Sequence, residues 1–244
     1  MKSVSTLLLA VVLFAAGCAP APEQAPAKPV NAGFLTDYSL LKNPDWENAI
    51  SQKVYVNPEL AASLEKYSGV MVDQPEIFIA VDSPYRGAKP EGLKLIADLI
   101  RYLMIGEFIR EGYNVVEQPA ADVAYVRVAL TDMKVEQVKG VTSYIPVEVT
   151  IENEAEVARN FMASLEVLDV DVEVEVVDST DSTVLMAGIL TADLDTVNDG
   201  NLATWASLGL LLEDIAAGIT CIVRTANLPP EGQKAICSAG NTPQ

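Results

Sequence analysis

The chain contains no histidine. That absence alone removes Ser-His-Asp and Cys-His nucleophilic sites, His-ligated zinc and H-E-x-x-H hydrolysis. Cysteine is scarce: only Cys18, Cys221 and Cys237 are present, and no C-x-x-C redox motif can be formed from them. Basic residues are few, with 16 Lys and Arg against 34 Asp and Glu and a formal net charge of −18. Such a surface repels nucleic acid and anionic headgroups and favours basic protein patches or divalent cations, while also serving plain solubility. No glycine loop suits a phosphate, since Gly106 and Gly112 fall within a helical pattern and at its stop. No uninterrupted apolar run reaches the ~20 residues of a membrane span.

The longest early apolar run, LLLAVVLFAAGC over residues 7–18, follows Lys2 and ends in Ala15-Ala16-Gly17-Cys18. Its core of about ten residues is the length of a secretion-signal core. Small residues before a cysteine form a lipobox, in which the Cys18 thiol accepts diacylglycerol. Residues 1–17 are therefore expected to be a lipoprotein signal peptide, and Cys18 a lipidated N-terminus attached to the membrane. A plain secretory signal with an incidental Cys18 is the alternative. Ala19 stands where Asp would resemble an inner-membrane retention signal, so the expected destination is the outer membrane, facing the periplasm. The rest of 18–32 is rich in Pro and Ala, a tether of extended polyproline character. In an oxidising compartment Cys221 and Cys237 are expected to form a disulfide; closing a loop of about 16 residues stabilises by ~3 kcal/mol in the chain-entropy account.

The remainder, 33–244, reads as a single periplasmic α+β domain: a largely antiparallel sheet of about five strands with two long helices packed on one face. Asn57-Pro58-Glu59 opens a short helix with Leu60, Leu64 and Tyr67 on its apolar stripe. A strand spans Val70 to about Val81, interrupted at Gln74-Pro75 because proline cannot donate to a ladder. Pro90 to Glu111 is a helix stopped by Gly112, apolar on two faces and so expected to be buried on both. Val123–Met133 is a strand. Tyr144–Ile151 could be another, with Glu152–Glu156 an acidic turn. The clearest periodicity alternates Leu168, Val170, Val172, Val174 and Val176 with Asp169, Asp171, Glu173 and Glu175. That pattern predicts a half-buried strand with a solvated acidic face, bulged near Val167 and paired as a hairpin with Thr183–Ala192. Leu202 to about Arg224 is the last helix, with Gly209 and Gly218 expected to allow close backbone approach.

The acidic comb could instead bind calcium or supply a carboxylate pair, because alternate strand residues lie about 6.5–7 Å apart. A solvated face raises no pKa, and no aromatic cluster for sugar stacking accompanies it. The stretch from Asp193 to Gly200 fails the calcium-loop register, with Asn198 where glycine is needed and Thr204 where a bidentate acid is needed. Asp178–Ser182 reads as turn chemistry. No catalytic residue, metal site or cofactor is expected.

Gly33–Leu41, GFLTDYSLL, resembles the opening of a proteobacterial lipoprotein family defined only as a domain of unknown function (family 3313), whose members begin with a G-F-L-x-D-Y-S-x-L motif. Lys66–Ile79, Ala129–Met133 and Val174–Met186 are similar to further family segments, with Asp181-Ser182 where Thr-Gly is usual. The resemblance implies a lipid-anchored α+β domain and carries over no activity. Phe34, Leu35 and Tyr38 are too apolar for free linker; they either plug the core or form a docking epitope for a partner. The resulting expectation is a lipid-anchored binding or scaffold protein of the cell envelope, partnered by another envelope protein and not an enzyme. The alternative is a carrier of lipid or a small amphiphile in an apolar groove between helices and sheet. A carboxylate-dependent envelope hydrolase is the least favoured reading.

Overall fold

The computed structural model describes residues 31–43, 51–59, 66–141, 150, 153–191 and 201–225. Residues 31–244 form one compact unit. Seven strands make a single mixed sheet. They are β1 (Ser51–Val56), β2 (Gly69–Val72), β3 (Glu76–Ile79), β4 (Asn114–Val115), β5 (Val123–Gln137), β6 (Leu165–Asp178) and β7 (Val184–Thr191). The spatial order is β1-β7-β6-β5-β2-β4, with β3 also paired to β5. Among the described residues three α-helices accompany them: α1 (Pro90–Arg110), α2 (Glu154–Ala163) and α3 (Asn201–Thr225).

Two expectations are corrected by this topology. The sheet is not largely antiparallel, because β2 and β3 both run parallel to β5, and β4 parallel to β2. The cause is α1: a helical crossover returns the chain to its starting side, so the next strand repeats the direction of the last. Among the described residues there is also a third α-helix, α2, beside the two long ones expected. Of the expected acidic turn at Glu152–Glu156, Asn153 is instead the N-cap of α2 and Glu154–Glu156 its first turn, with Val157, Ala158 and Phe161 buried, while Glu152 lies outside the described residues. The edge strand β1 had no counterpart in the sequence reading. The expected strand over 144–151 and the Leu60 and Leu64 stripe lie outside the described residues, apart from Thr150.

The interruption at Gln74-Pro75 separates β2 from β3, and both continue along the same neighbour, β5. The β5–β6 ladder is antiparallel and carries two irregularities. Asp132, at φ 50°, lies in the extra pair on β5, and Leu168 is the unpaired residue on β6. Leu168 is therefore turned to solvent, 43 % exposed, rather than inward as the alternation suggested.

One sheet face carries the main core. Val70, Val72, Val126, Val128, Leu130, Val172, Val174 and Val176 meet Ile96, Ile100, Met104 and Phe108 of α1 and Leu208, Leu212 and Ile215 of α3. The Trp205 indole N–H donates to the Met162 and Leu165 carbonyls, tying α3 to the α2–β6 junction. Helix α1 ends where Gly112 takes φ 86°, and the Gly112 and Tyr113 amides cap the Ile109 and Phe108 carbonyls. Tyr113 packs edge-on against Phe108 across that cap, completing a Schellman stop. The second apolar face of α1 is buried only near its start, where Leu95 meets α2; Tyr102 and Ile109 are exposed. No helix among the described residues is long and apolar enough to cross a membrane.

Candidate functional site

The opposite sheet face is where the acidic comb lies, and it is not solvated. Asp171, Glu173 and Glu175 are buried, with Glu175 at 0 % exposure. Residues 31–41 run over them as an arm. Phe34 and Leu35 pack on Ala129, Ala187 and Ile189 in a second apolar cluster, flanked by Tyr38, Leu41, Tyr55 and Val184. Removing two such side chains from water stabilises by about 1.5–3 kcal/mol each as an upper figure.

The motif residues close this cover one by one. Gly33 adopts φ 82°, a conformation that favours glycine. The Thr36 amide and hydroxyl donate to the two Glu175 carboxylate oxygens at 2.7 and 2.9 Å. Asp37 caps a 3-10 turn, Tyr38–Leu40, by accepting from the Ser39 amide at 2.8 Å and from its hydroxyl. The Tyr38 hydroxyl accepts from the Phe34 and Leu35 amides and donates to Glu173 Oε2 at 2.5 Å. Beneath the arm, Arg127 stands directly opposite Glu175 in the ladder and pairs with it at 2.6 Å. The Arg127 guanidinium also lies 4.7 Å from the centre of the Phe34 ring. Thr131 donates to the other Glu173 oxygen.

Burial pushes the Glu173 carboxyl above its ordinary range, and the hydrogen bonds from Tyr38, Thr131 and the Ala32 backbone only partly offset this. The Tyr38 phenol is likewise raised, first by burial and then by its bond to Glu173. The array therefore functions as a latch: acceptors on β6, donors on β5 and the arm. Among the described residues no three Asp, Glu or Cys side chains converge as a metal set. Phe34 and Leu35, expected either in the core or in a docking epitope, face inward, and Tyr38 is half-buried; contact through them would need the arm to lift.

A second polar hub sits at the β6–β7 turn. Asp178 Oδ2 accepts from Lys66 at 2.9 Å and from the Tyr67 hydroxyl at 2.7 Å, while Oδ1 accepts from the Thr180 amide and hydroxyl. Burial alone would raise the Asp178 carboxyl, but these donors outweigh it and hold it well below the usual aspartate range. The same contacts push Lys66 up to about 12, mainly through Asp178; Tyr67 also rises to about 12, mainly through burial. Ser182 follows at φ 62°, the left-handed conformation that glycine adopts freely.

A third feature is an apolar cleft of about 150 Å³ beneath α3, at the β1 end of the sheet. Val54 and Val56 of β1, Met186 and Leu190 of β7, Val174 and Val176 of β6, and Ile215 and Ile219 of α3 line it. Neither glycine serves close backbone approach as expected: among the described residues no heavy atom lies within 4 Å of where the Gly218 Cβ would be, and at Gly209 a Cβ would meet only the Leu103 side chain at an ordinary 3.7 Å. Cys221 is half-buried on α3 and disulfide-bonded. Cys18 and Cys237 lie outside the described residues, as do 192–200 of the rejected calcium-like stretch.

Among curated proteins no relative matches. A PelC dodecamer variant from Paraburkholderia phytofirmans is similar at 12 % identity and TM-score 0.31, covering 67 % of this chain and 90 % of that one. A DUF330-family protein from Xanthomonas campestris is similar at 12 % identity and TM-score 0.33, covering 65 % and 85 %. Likenesses this distant transfer no ligand, partner or assembly. The family described as "Protein of unknown function (DUF3313)" matches residues 31–219, and the chain belongs to that family.

Proposed function

We propose that this chain is a lipid-anchored protein of the bacterial envelope, held at the outer membrane through Cys18, whose folded unit binds or scaffolds another envelope component without catalysis. The observation that supports the non-catalytic reading is the latch. Glu173 and Glu175 are the strongest acidic candidates for a catalytic pair, and both are committed to Tyr38, Thr36, Arg127 and Thr131 beneath an apolar cover. A carboxylate hydrolase needs such groups open in a cleft with one pKa poised for proton transfer. The lipobox of residues 15–18 and the Pro/Ala-rich stretch after it support the anchor.

The cleft under α3 supports a second reading, that of a carrier. Its volume of about 150 Å³ is well short of the ~300 Å³ at which pockets begin to enclose a whole ligand. Crosslinking in cells, with the crosslinker placed on exposed Tyr102 of α1, tests between them. The scaffold reading expects one reproducible envelope partner, lost in the Cys18→Ser variant. Absence of that partner, together with lipid retained by the purified protein, would replace it with the carrier.

A further inference from the structure

Gly218 stands in the interior of α3 with open space where a side chain would be. At Gly92 of α1 the situation is the reverse: a Cβ would fall 2.4 Å from the Phe161 ring, so packing demands glycine there. Among the described residues no neighbour makes that demand at 218. Glycine is a poor residue for a helix interior, and a larger apolar one would both favour the helix and fill the cleft. Gly218 thus lines an apolar space that no described side chain fills from that position.

The walls of that space are valine, isoleucine, leucine and methionine, and the charged residue in its lining is Asp214, exposed on α3. Asp214 has no ion-pair partner among the described residues. It sits on a chain of formal charge −18. A dry apolar cavity of about 150 Å³ accepts a ring the size of benzene, so this one has room for the end of an apolar chain while the remainder stays outside. An anionic headgroup at the rim would be repelled by Asp214 and the net field, and a cationic one attracted.

We propose that the cleft between α3 and strands β1, β7 and β6 binds the apolar end of a cationic amphiphile, whose positive group pairs with Asp214 at the rim. The inference rests on the carrier reading of this same cleft and deepens it by naming the charge class of the amphiphile; it holds whether or not the chain is anchored.

The test titrates the chain from residue 19 onward with dodecyltrimethylammonium, and with dodecyl sulfate as the control of equal tail, both below their micelle concentrations. Calorimetry reads affinity and thermal unfolding reads stability. Saturable binding of the ammonium compound is expected, at least about tenfold tighter than the sulfate, with a raised melting temperature. Gly218→Leu is expected to abolish it while melting at or above the wild-type temperature; Gly218→Ala, the smaller filler, is expected to weaken it several-fold. Asp214→Asn is expected to weaken the ammonium compound alone. A folded Gly218 variant that binds as wild type does would place the ligand elsewhere and overturn the proposal. Equal affinity for the two detergents, or no saturable binding of either, would overturn it as well.

Discussion

Replacing Tyr38 by phenylalanine removes one oxygen and, with it, three hydrogen bonds that hold the arm. The phenol donates to Glu173 at 2.5 Å and accepts from the Phe34 and Leu35 amides at 2.9 and 3.3 Å. A hydrogen bond to a charged acceptor contributes about 1.5–3 kcal/mol net. The two amide bonds lie at the partly buried arm edge, where water replaces them, so the total expected loss is about 2 kcal/mol at neutral pH. For a unit of this size that is a fall of about 4–8 °C in melting temperature. The loss also has a pH signature. Because burial raises the Glu173 carboxyl, its charged form costs stability at neutral pH, and protonation relieves that cost as pH falls through its raised pKa. The bond from Tyr38 to a neutral carboxyl is weaker, so the Tyr38→Phe penalty shrinks in mildly acidic buffer. Thermal unfolding of wild type and variant in both buffers measures this, with amide exchange of residues 34–36 expected to quicken in the variant. An unchanged melting temperature at neutral pH, or a penalty that grows on acidification, would refute the latch.

Three further outcomes follow from local geometry. Asp178→Asn should flatten the acid limb of stability: the lowered carboxyl contributes stability above the unfolded aspartate pKa of ~3.9, and wild type loses it as pH falls below that value, which urea midpoints across acidic buffers would record. Ser182→Gly should stabilise by about 0.5–1 kcal/mol, since a left-handed L-residue costs ~1–2 kcal/mol and glycine returns part of that through unfolded-state entropy; an unchanged urea midpoint would contradict it. Gly92→Ala should destabilise by about 1–2 kcal/mol, because overpacking against Phe161 exceeds alanine's helix advantage, and a stabilised variant would show that the α1–α2 contact yields freely.

Much of the helix-facing half of this fold was readable from one sequence. The alternation on β6, the break at Gln74-Pro75 and the Gly112 stop each report a backbone requirement that local chemistry states plainly. The acidic comb misled because alternation reports which residues share a face, not whether that face meets water. The signal that would have corrected it is on β7: VLMAGILT is apolar on both faces, as strands buried on both sides are. A covered neighbour implies a cover, and Phe34 and Leu35, for which a core plug and a docking epitope were both open, supply it. Arg127 and Thr131, alternating along β5, were the donors that such buried acids require, but their pairing with Glu175 and Glu173 depends on long-range register that sequence spacing does not contain. The parallel strands do not follow from a largely antiparallel expectation, because α1 acts as a crossover between β3 and β5 and long-range strand direction is not stated by local spacing.

The proposed anchoring depends on Cys18 as the point of attachment. Fractionation of cells producing wild type or Cys18→Ser, with melting temperatures measured on the purified folded unit of each, tests it most directly. Wild type is expected to partition with the outer membrane, while the variant is soluble in the periplasm and melts at the same temperature. A Cys18→Ser protein that remains in the membrane fraction would contradict it.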